Sequence, residues 1–185
     1  MAKLPARMVI LMRHAKSDWE AGHESDMERR LNLRGQRDAR NMAAWLKSQL
    51  AGLSSEIGGG PGSGQALVKL LVSPARRTRE TATEILQALP TATMVIEQSL
   101  YLASLPELIE LVRSHADECL LVLGHNPGLE DLVWQIDPDV EARCAHSKIF
   151  PTCAVYGYRI DGVFAQSEGR CSYLFHQRPK MLTNG

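Results

Sequence analysis

Residues 8–14, with the sequence MVILMRH, place an arginine and a histidine directly after an uninterrupted apolar run. The arrangement recurs twice, because Arg77 lies shortly after the largely apolar residues 67–72 and His125 shortly after residues 120–123. Apolar runs without polar alternation are typical of strands that are buried on both faces, as in parallel sheets. The carboxyl ends of parallel strands meet at one edge of the sheet, where ligands bind. The three segments therefore predict a pocket for an anion at that edge.

Amphipathic helical patterns lie between these apolar runs. Their apolar residues recur every three or four positions, which places them on one face of a helix. The first face is formed by Ala39, Met42, Ala43, Leu46 and Leu50, and the second by Leu105, Leu108, Ile109 and Val112. Ser104 and Glu107 have the spacing of a capping box at the start of the second helix. Strands that alternate with helices predict an α/β fold, a three-layer sandwich in which a mostly parallel central sheet is flanked by helices.

Three shorter segments complete the predicted sheet. Residues 93–96 form a further strand candidate. Residues 154–160 and 173–175 predict a terminal pair of strands, and the turn Asp161-Gly162 after the first of them favours an antiparallel pair.

The length of 185 residues suits one sizeable core and is too short for two ordinary domains, so we expect a single domain over residues 1–185. Residues 54–66 contain the run GGGPGSG, which predicts a flexible surface connection. A phosphate-binding glycine loop is the alternative interpretation. It is disfavoured because the run lacks the Lys-Ser/Thr ending and does not lie between a strand and a helix.

The composition limits the partners of this chain. Twenty-one basic residues balance 21 acidic ones, so no overall field would hold the protein on nucleic acid or on an anionic membrane. No apolar run reaches the ~20 residues of a membrane-spanning helix, and no secretory signal is recognisable, which predicts a cytoplasmic protein. The four cysteines are widely spaced, as expected of reduced thiols. Cys144 and His146 would be half of a zinc site, but no second pair has ligand spacing. The oligomeric state stays open.

Four segments carry motifs that occur in the same order in a known family. They are RHAKS at residues 13–17, RLNLRG at residues 30–35, SPARRTRET at residues 73–81 and GHNPG at residues 124–128. Together these motifs resemble the histidine phosphatase superfamily, and most closely its SixA-type phosphohistidine phosphatase branch. The resemblance covers about residues 8–130 and implies a phosphoglycerate mutase-like fold. The last third of the chain matches nothing so specific.

The resemblance also implies a catalytic constellation. His14 would be the nucleophile and would form a phosphohistidine intermediate that water then hydrolyses. Arg13, Arg77 and His125 would surround the equatorial oxygens of the transferring phosphoryl group. This clamp would replace the magnesium ion of kinases, so the resemblance implies neither a metal nor another cofactor. The further candidates for contact with phosphate or substrate are Lys16, Ser17 and Asn126.

The two pairs Ser73-Pro74 and Asn126-Pro127 have the residue types of helix starts. A helix amino terminus carries a partial positive charge, so a cation in its first turn is disfavoured by roughly 0.3–1 kcal/mol. Arg76, Arg77 and Arg79 nevertheless crowd one first turn, which makes electrostatic sense if an anion binds there. In a helix with 3.6 residues per turn, Arg76 and Arg79 lie about 100° and 200° from Arg77. We therefore expect only Arg77 to point into the pocket.

One departure from the family's pattern bears on the substrate. Many members of this family that cleave phosphate esters carry a glutamate two residues after a leucine, in the segment that follows the third strand, and this glutamate protonates the leaving alkoxide. If Leu100 corresponds to that leucine, Leu102 stands at the position of the glutamate. Asp18, Glu20 and Glu107 are alternative proton donors that the sequence cannot place. An imidazole nitrogen is a better leaving group than an alkoxide, so the missing acid favours phosphohistidine in a protein as the substrate.

Other functions stay open at this stage. A phosphatase or a mutase that acts on a small phosphorylated compound would use the same four residues, and a phosphate-recognition module would keep the pocket without turnover. Cys153 and Arg159 have the spacing of a thiol phosphatase, but their segment alternates like a strand and offers nothing to lower the thiol pKa. The remaining histidines, interpreted as surface or packing residues, are His23, His115, His146 and His176.

Overall fold

The computed structural model describes residues 6–20, 22, 25–53, 67–144, 147–165 and 170–182. Its strands are β1 (Arg7–Arg13), β2 (Val68–Val72), β3 (Thr93–Ile96), β4 (Cys119–Gly124), β5 (Val155–Asp161) and β6 (Arg170–Gln177). Its helices are α1 (Leu33–Leu53), α2 (Arg76–Ala88), α3 (Leu105–Ser114), α4 (Gly128–Ile136), α5 (Val140–Cys144) and α6 (Pro179–Leu182). The glycine-rich connection predicted at residues 54–66 lies outside the described residues, as do His23 and His146.

All six strands form one sheet in the order β3-β2-β4-β1-β5-β6. The first four of these strands run parallel, whereas β5 is antiparallel to β1 and β6 is antiparallel to β5. The mostly parallel sheet is therefore confirmed, with an antiparallel pair at one edge. The strand predicted at residues 93–96 and the antiparallel terminal pair are confirmed as well.

Helices cover both faces of the sheet, which confirms the three-layer arrangement. Strand β1 shows how the two faces differ. Met8, Ile10 and Met12 belong to a core that β1 shares with α1 and α2. Val9 and Leu11 belong to a second core, shared with α3, α4 and α5. These five side chains are at most 1% exposed. Burial of one large apolar side chain contributes ~1.5–3 kcal/mol, so this central strand stabilises both layers.

The predicted helix faces pack against these cores. In α1, the buried apolar side chains include all five predicted ones, Ala39, Met42, Ala43, Leu46 and Leu50. In α3, Leu108 and Val112 are buried, and Leu105 and Ile109 pack beside them partly buried. The Glu107 carboxylate accepts hydrogen bonds from the backbone N–H and the hydroxyl of Ser104 at 2.8 and 2.6 Å. The backbone N–H of Glu107 in turn donates to the Ser104 side chain, so the predicted capping box is present.

The two predicted helix starts at Ser73-Pro74 and Asn126-Pro127 are wrong. Helix α2 begins only at Arg76 and α4 only at Gly128, and neither Ser73 nor Asn126 caps a helix. Both side chains use their polar atoms elsewhere. The Ser73 hydroxyl lies 2.7 Å from Nε2 of His125. The side-chain amide of Asn126 donates hydrogen bonds to the backbone carbonyl of Phe150 and to the carboxylate of Glu130. Long-range partners thus compete successfully with local capping.

Within the described part of the chain, no helix combines the length and the apolar character needed to cross a bilayer. The same part of the chain holds no group of three His, Cys, Asp or Glu side chains that could bind a metal ion. Of the pair considered for zinc, Cys144 is buried and His146 lies outside the described residues.

Candidate active site

The carboxyl ends of β1, β4 and β2 lie side by side at one edge of the sheet. Arg13 pairs with Gly124 in the β1–β4 ladder, and His14 donates its backbone N–H to the Gly124 carbonyl at 3.2 Å. Ser73, just after β2, donates its backbone N–H to the end of β4 at 3.1 Å. His14, Ser73 and His125 thus immediately follow three neighbouring strands.

An open cavity of about 540 Å³ lies at this edge. It is lined by all seven residues that the sequence singled out, Arg13, His14, Lys16, Ser17, Arg77, His125 and Asn126. The structure therefore brings the predicted site residues together, and their chemical roles remain predictions. Trp19, Asp26, Arg29, Tyr101, Leu102 and Thr152 complete the lining.

The imidazole of His14 is held in one orientation. Its side chain is almost fully buried, and Nδ1 lies 2.7 Å from the backbone carbonyl of Ala15. Because a carbonyl only accepts, Nδ1 carries the proton and Nε2 keeps its lone pair. Burial, together with the nearby His125, Arg77 and Arg13, lowers the pKa of His14 to about 3 against the opposing bond to Ala15. The ring is therefore neutral at physiological pH.

His125 is held in the opposite tautomer. Its Nδ1 accepts a hydrogen bond from the Arg77 guanidinium at 3.3 Å, so Nε2 carries the proton and donates to the Ser73 hydroxyl at 2.7 Å. Burial and the charge of Arg77 lower the pKa of His125 to about 4. The ring centroids of His125 and His14 are 5.2 Å apart. Two neutral imidazoles thus line one cavity, each fixed by its own partner.

Arg77 is the buried cation of the site. Its side chain is 2% exposed, whereas Arg76 and Arg79 are exposed on other sides of α2, as the helical register predicts. Arg76 pairs instead with Glu80 at 2.8 Å. The Nε atom of Arg77 donates to Nε2 of His14 at 3.3 Å. The guanidinium therefore contacts both imidazoles of the cavity.

Asp26 is a site residue that sequence reasoning missed. Its carboxylate accepts hydrogen bonds from Arg77 at 2.9 Å and from the Tyr101 hydroxyl at 2.8 Å, and it pairs with Arg29 at 2.9 Å. Its backbone carbonyl also accepts from Arg77, at 2.7 Å. Burial alone would raise the pKa of Asp26, but the bonds from Tyr101 and Arg77 and the charge of Arg29 lower it. The sequence signal that could have indicated this residue is the oppositely charged pair Asp26 and Arg29, which lie three positions apart just before the motif at residues 30–35.

Asp26 holds one end of the Arg77 guanidinium in a fixed orientation. Both terminal nitrogens of Arg77 reach Asp26, through its carbonyl and its carboxylate. The Nε atom of Arg77 donates to His14, and Nη2, the nitrogen that also contacts the Asp26 carboxylate, donates to His125. One edge of the guanidinium is thus anchored, and the other is aimed at the space between the two imidazoles.

Arg13 and Asn126 are both hydrogen-bonded to the segment that contains Phe150. Both donate to the backbone carbonyl of Phe150, at 2.9 and 3.1 Å, and the Asn126 amide also donates to Glu130 at 2.6 Å. Among the described residues, Nε of Arg13 and Oδ1 of Asn126 are buried and have no hydrogen-bond partner. A buried polar atom without a partner costs ~1–3 kcal/mol. A ligand that offers an acceptor to Arg13 and a donor to Asn126 would offset this cost.

The residues considered as proton donors do not line this cavity. Glu107 is engaged in the capping box of α3, and Asp18 and Glu20 line an adjacent cavity on the other side of Lys16 and Ser17. The lining does include Leu102, whose side chain is 54% exposed and whose φ is +52°. Leu102, which the motif alignment places at the position of that glutamate, thus contributes an alkyl side chain to the lining, and Asp26 is the carboxylate among the described lining residues.

Ser17 is oriented by Arg29, the arginine that also pairs with Asp26. The buried Ser17 hydroxyl accepts a hydrogen bond from Nε of Arg29 at 3.1 Å. The Arg29 guanidinium also lies 3.5 Å from the centroid of the Trp19 ring, a cation–π contact at the rim of the cavity. Arg29 is thus a further cation of the site that the sequence reasoning did not single out.

The alternative thiol chemistry is unsupported by the geometry. Cys153 is completely buried, and burial raises the pKa of its thiol far above the ordinary value. Its partner in the sequence spacing, Arg159, lies on β5 and is exposed. A nucleophilic cysteine needs an accessible thiolate, so this interpretation is set aside.

Comparison with known proteins identifies solved structures that share this fold. No protein-family profile matches the chain. ML1117, an uncharacterised protein of Mycobacterium leprae, is 28% identical over 159 residues, which cover 82% of this chain and 88% of ML1117. SixA of Agrobacterium tumefaciens superposes with a TM-score of 0.73 at 24% identity, over 95% of this chain and 99% of that protein. The protein histidine phosphatase SixA in complex with tungstate superposes with a TM-score of 0.65 at 22% identity, over 95% and 99% of the two chains. The chain therefore has the phosphoglycerate mutase-like fold of the SixA proteins, as the resemblance of its motifs implied.

Proposed function

We propose that this protein is a phosphatase that uses His14 as its nucleophile and acts on phosphohistidine in another protein. The observation that carries the proposal is the imidazole of His14, which is neutral, bonded through Nδ1–H to a carbonyl, and directs its Nε2 lone pair toward Nε of the buried Arg77 at 3.3 Å. A neutral imidazole in a fixed tautomer is the form that attacks phosphorus.

In the first step, Nε2 of His14 attacks the phosphorus atom, and the bond between phosphorus and the substrate's imidazole nitrogen breaks. The electron pair of that bond stays on the leaving nitrogen. The leaving ring departs as neutral imidazole because its second nitrogen is protonated in the form that reacts. The unpartnered Oδ1 of Asn126 would accept a hydrogen bond from that N–H. This acceptor suits a nitrogen donor better than a phosphate oxygen, so Asn126 would contact the leaving group.

The positive charge that the transition state requires comes from Arg13 and Arg77. When the phosphoryl group lies between the imidazoles, Arg77 exchanges its two ring-nitrogen acceptors for two phosphate oxygens through the same edge, a bidentate arrangement. Nε of Arg13 gains the acceptor that it lacks. His125 contacts a third oxygen, and the dianion beside it favours the protonated ring. Because these groups neutralise the developing charge, we propose that turnover requires no metal ion.

In the second step, water attacks the phosphorus atom of phosphorylated His14 on the side that the leaving imidazole has vacated. The bond between phosphorus and Nε2 breaks, its electron pair returns to the ring, and the proton of the water passes through the open cavity to solvent. Asp26 keeps Arg77 aimed at phosphorus in both steps. The nucleophile is then neutral and ready for another cycle.

The choice of phosphohistidine over a phosphate ester rests on the leaving group. An alkoxide would need a proton donor at the position of Leu102, where the cavity wall carries only an alkyl group. Asp26 is engaged by two arginines and Tyr101, and its lowered pKa makes it a poor acid. SixA, which has this fold in its complex with tungstate, is a protein histidine phosphatase. This similarity supports phosphohistidine in a protein as the substrate class.

The proposal is tested by trapping the phosphoenzyme. A ³²P-labelled phosphohistidine protein is mixed briefly with the enzyme and the two chains are separated. We expect acid-labile, alkali-stable label on the wild-type enzyme and none on His14→Ala, which should fold normally. His115→Ala, a matched change at the opposite end of the sheet, should label like the wild type. Turnover should persist in EDTA.

Three results would contradict parts of this proposal. Label on serine or cysteine, or label on His14→Ala, would reject the nucleophile. Loss of turnover in EDTA that magnesium or zinc restores would reject the metal-free clamp. Rapid hydrolysis of small phosphorylated metabolites without hydrolysis of the phosphohistidine protein would replace the substrate class, and binding without any turnover would make the protein a recognition module.

A further inference from the structure

A second cavity, of about 890 Å³, lies beside the catalytic cavity and shares Thr152 with it. We call it the basic groove. Its charged lining residues are Arg34, Lys148, Arg178 and Lys180, and no carboxylate is among the residues that line it. The whole chain has as many acidic as basic residues. Four cations without an acidic side chain along one groove are therefore a local concentration of positive charge, which attracts anions.

Two of the four cations of the groove, Arg178 and Lys148, are not paired with a carboxylate in the described part of the chain. Arg178 is partly buried and donates to the Ser147 hydroxyl and, at 3.4 Å, to the carbonyl of Lys148. Arg34 differs, because it pairs with Asp38 at 3.3 Å along α1. Arg178 and Lys148 thus add positive charge that no described carboxylate pairs with, and an anionic partner would gain from their attraction.

The wall of the groove is connected directly to the catalytic residues. The segment 150–153 separates the two cavities. The carbonyl of Phe150 accepts from Arg13, and the backbone N–H of Cys153 donates to the carbonyl of His14 at 3.0 Å. Thr152 lines both cavities. The groove therefore adjoins the catalytic cavity at Thr152, within reach of a large molecule whose phosphoryl group is at His14.

We propose that the basic groove binds acidic side chains on the surface of the phosphohistidine protein, and this rests on the proposed function. A protein is favoured over a small anion because the cations come from three separate segments, α1, the chain before β5 and the chain at α6, and line a groove of about 890 Å³. The rim of the catalytic cavity also exposes Trp19 and Leu102, at 70% and 54%. Exposed apolar side chains beside complementary charge are typical of protein-binding surfaces.

The test compares charge reversal in the groove with the same change elsewhere. Lys148→Glu, Lys180→Glu and the double variant are measured on a phosphohistidine protein with an acidic surface and on p-nitrophenyl phosphate. We expect KM for the protein to rise about tenfold or more in the double variant, and its salt dependence to weaken. Turnover of p-nitrophenyl phosphate should stay unchanged. Lys47→Glu, on the exposed side of α1, is the control and should behave like the wild type.

Failure of this inference can be distinguished from failure of the proposed function. If the wild type hydrolyses the phosphohistidine protein and the double variant has the same KM, the groove is not a docking site and the function stands. If the wild type does not hydrolyse it, the proposed function fails, and binding of a poly-glutamate peptide to the wild type and the double variant still tests the groove. Equal peptide binding by both overturns the inference. Tighter binding of inorganic tripolyphosphate than of the peptide, abolished by the same substitutions, assigns the groove to a small polyanion and overturns it too.

Discussion

At the scale of single residues, Arg77 differs from its neighbours through its contacts and not through its local sequence. Arg76 and Arg79 lie in the same first turn of α2, where the helix dipole disfavours each cation by roughly 0.3–1 kcal/mol. They are exposed to solvent, whereas Arg77 is buried and its charge is balanced by Asp26. Arg76 is paired with Glu80 instead, and of the three arginines only Arg77 lines the cavity.

We expect the Arg77→Ala and Arg76→Ala variants to differ sharply in activity. Arg77→Ala removes a guanidinium edge that can bind two phosphate oxygens, so turnover should fall by roughly 10²–10³-fold, by analogy with deletion of one oxyanion donor. Arg76→Ala loses only an exposed ion pair with Glu80 and should change turnover little. Steady-state kinetics with p-nitrophenyl phosphate compares the two. A severe loss in Arg76→Ala with near-normal activity in Arg77→Ala would move the site by one helix position.

At the scale of elements, close packing of α1 against the end of β1 holds the catalytic loop. A Cβ atom added at Gly35 would lie 2.0 Å from the backbone carbonyl oxygen of Lys16. The Asn32 side chain accepts from the Gly35 N–H at 2.8 Å, and the Asn32 N–H donates to the Lys16 carbonyl at 3.1 Å. The second motif therefore braces the segment that carries Lys16 and Ser17.

Gly35→Ala should lower both stability and activity. Alanine is ordinarily favoured over glycine in a helix by ~0.5–1 kcal/mol, but the clash with Lys16 should reverse the sign and cost ~1–3 kcal/mol. Gly52→Ala is the control within α1, because no atom lies within 4 Å of the added Cβ. It should raise the free energy of unfolding in urea and leave turnover unchanged. Equal effects of the two substitutions would mean that the contact at Gly35 is not tight.

At the scale of the whole molecule, two buried imidazoles couple folding to pH. The pKa values of His14 and His125 are lowered to about 3 and about 4, chiefly by burial. An unfolded chain protonates its histidines near pH 6.5, so below that pH it binds more protons than the folded protein. The stability that these groups contribute is fully present above pH ~6.5 and is lost as the pH falls toward their folded pKa values.

We therefore expect acid to destabilise the wild type more steeply than a variant that lacks one of these rings. The slope of unfolding free energy against pH should be shallower in His14→Ala by up to ~1.4 kcal/mol per pH unit between pH ~6 and ~4. Urea unfolding at several pH values measures the slope. Arg76→Ala, which removes no group that titrates in this range, should keep the wild-type slope. Identical slopes in wild type and His14→Ala would show that the ring is not buried as a neutral group.

Periodicity and short motifs were sufficient to predict several features of the fold and of the site. The apolar runs predicted β1, β2 and β4, and apolar residues spaced three and four apart predicted the buried faces of α1 and α3. The motifs predicted which seven residues would line one cavity. These predictions succeed because burial of a strand or of a helix face leaves a regular pattern in consecutive residues.

The contacts that hold the site together could not be predicted, because they join residues that are far apart in the sequence. Asp26 contacts Arg77 and Tyr101, which lie 51 and 75 positions further along the chain. Ser73 resembles a helix cap in sequence but contacts His125, 52 positions away. The basic groove likewise combines α1 with two segments near the end of the chain. Such contacts leave no periodic signal, because the energy of a polar side chain depends on which partner the fold brings within hydrogen-bond distance and not on its neighbours in sequence.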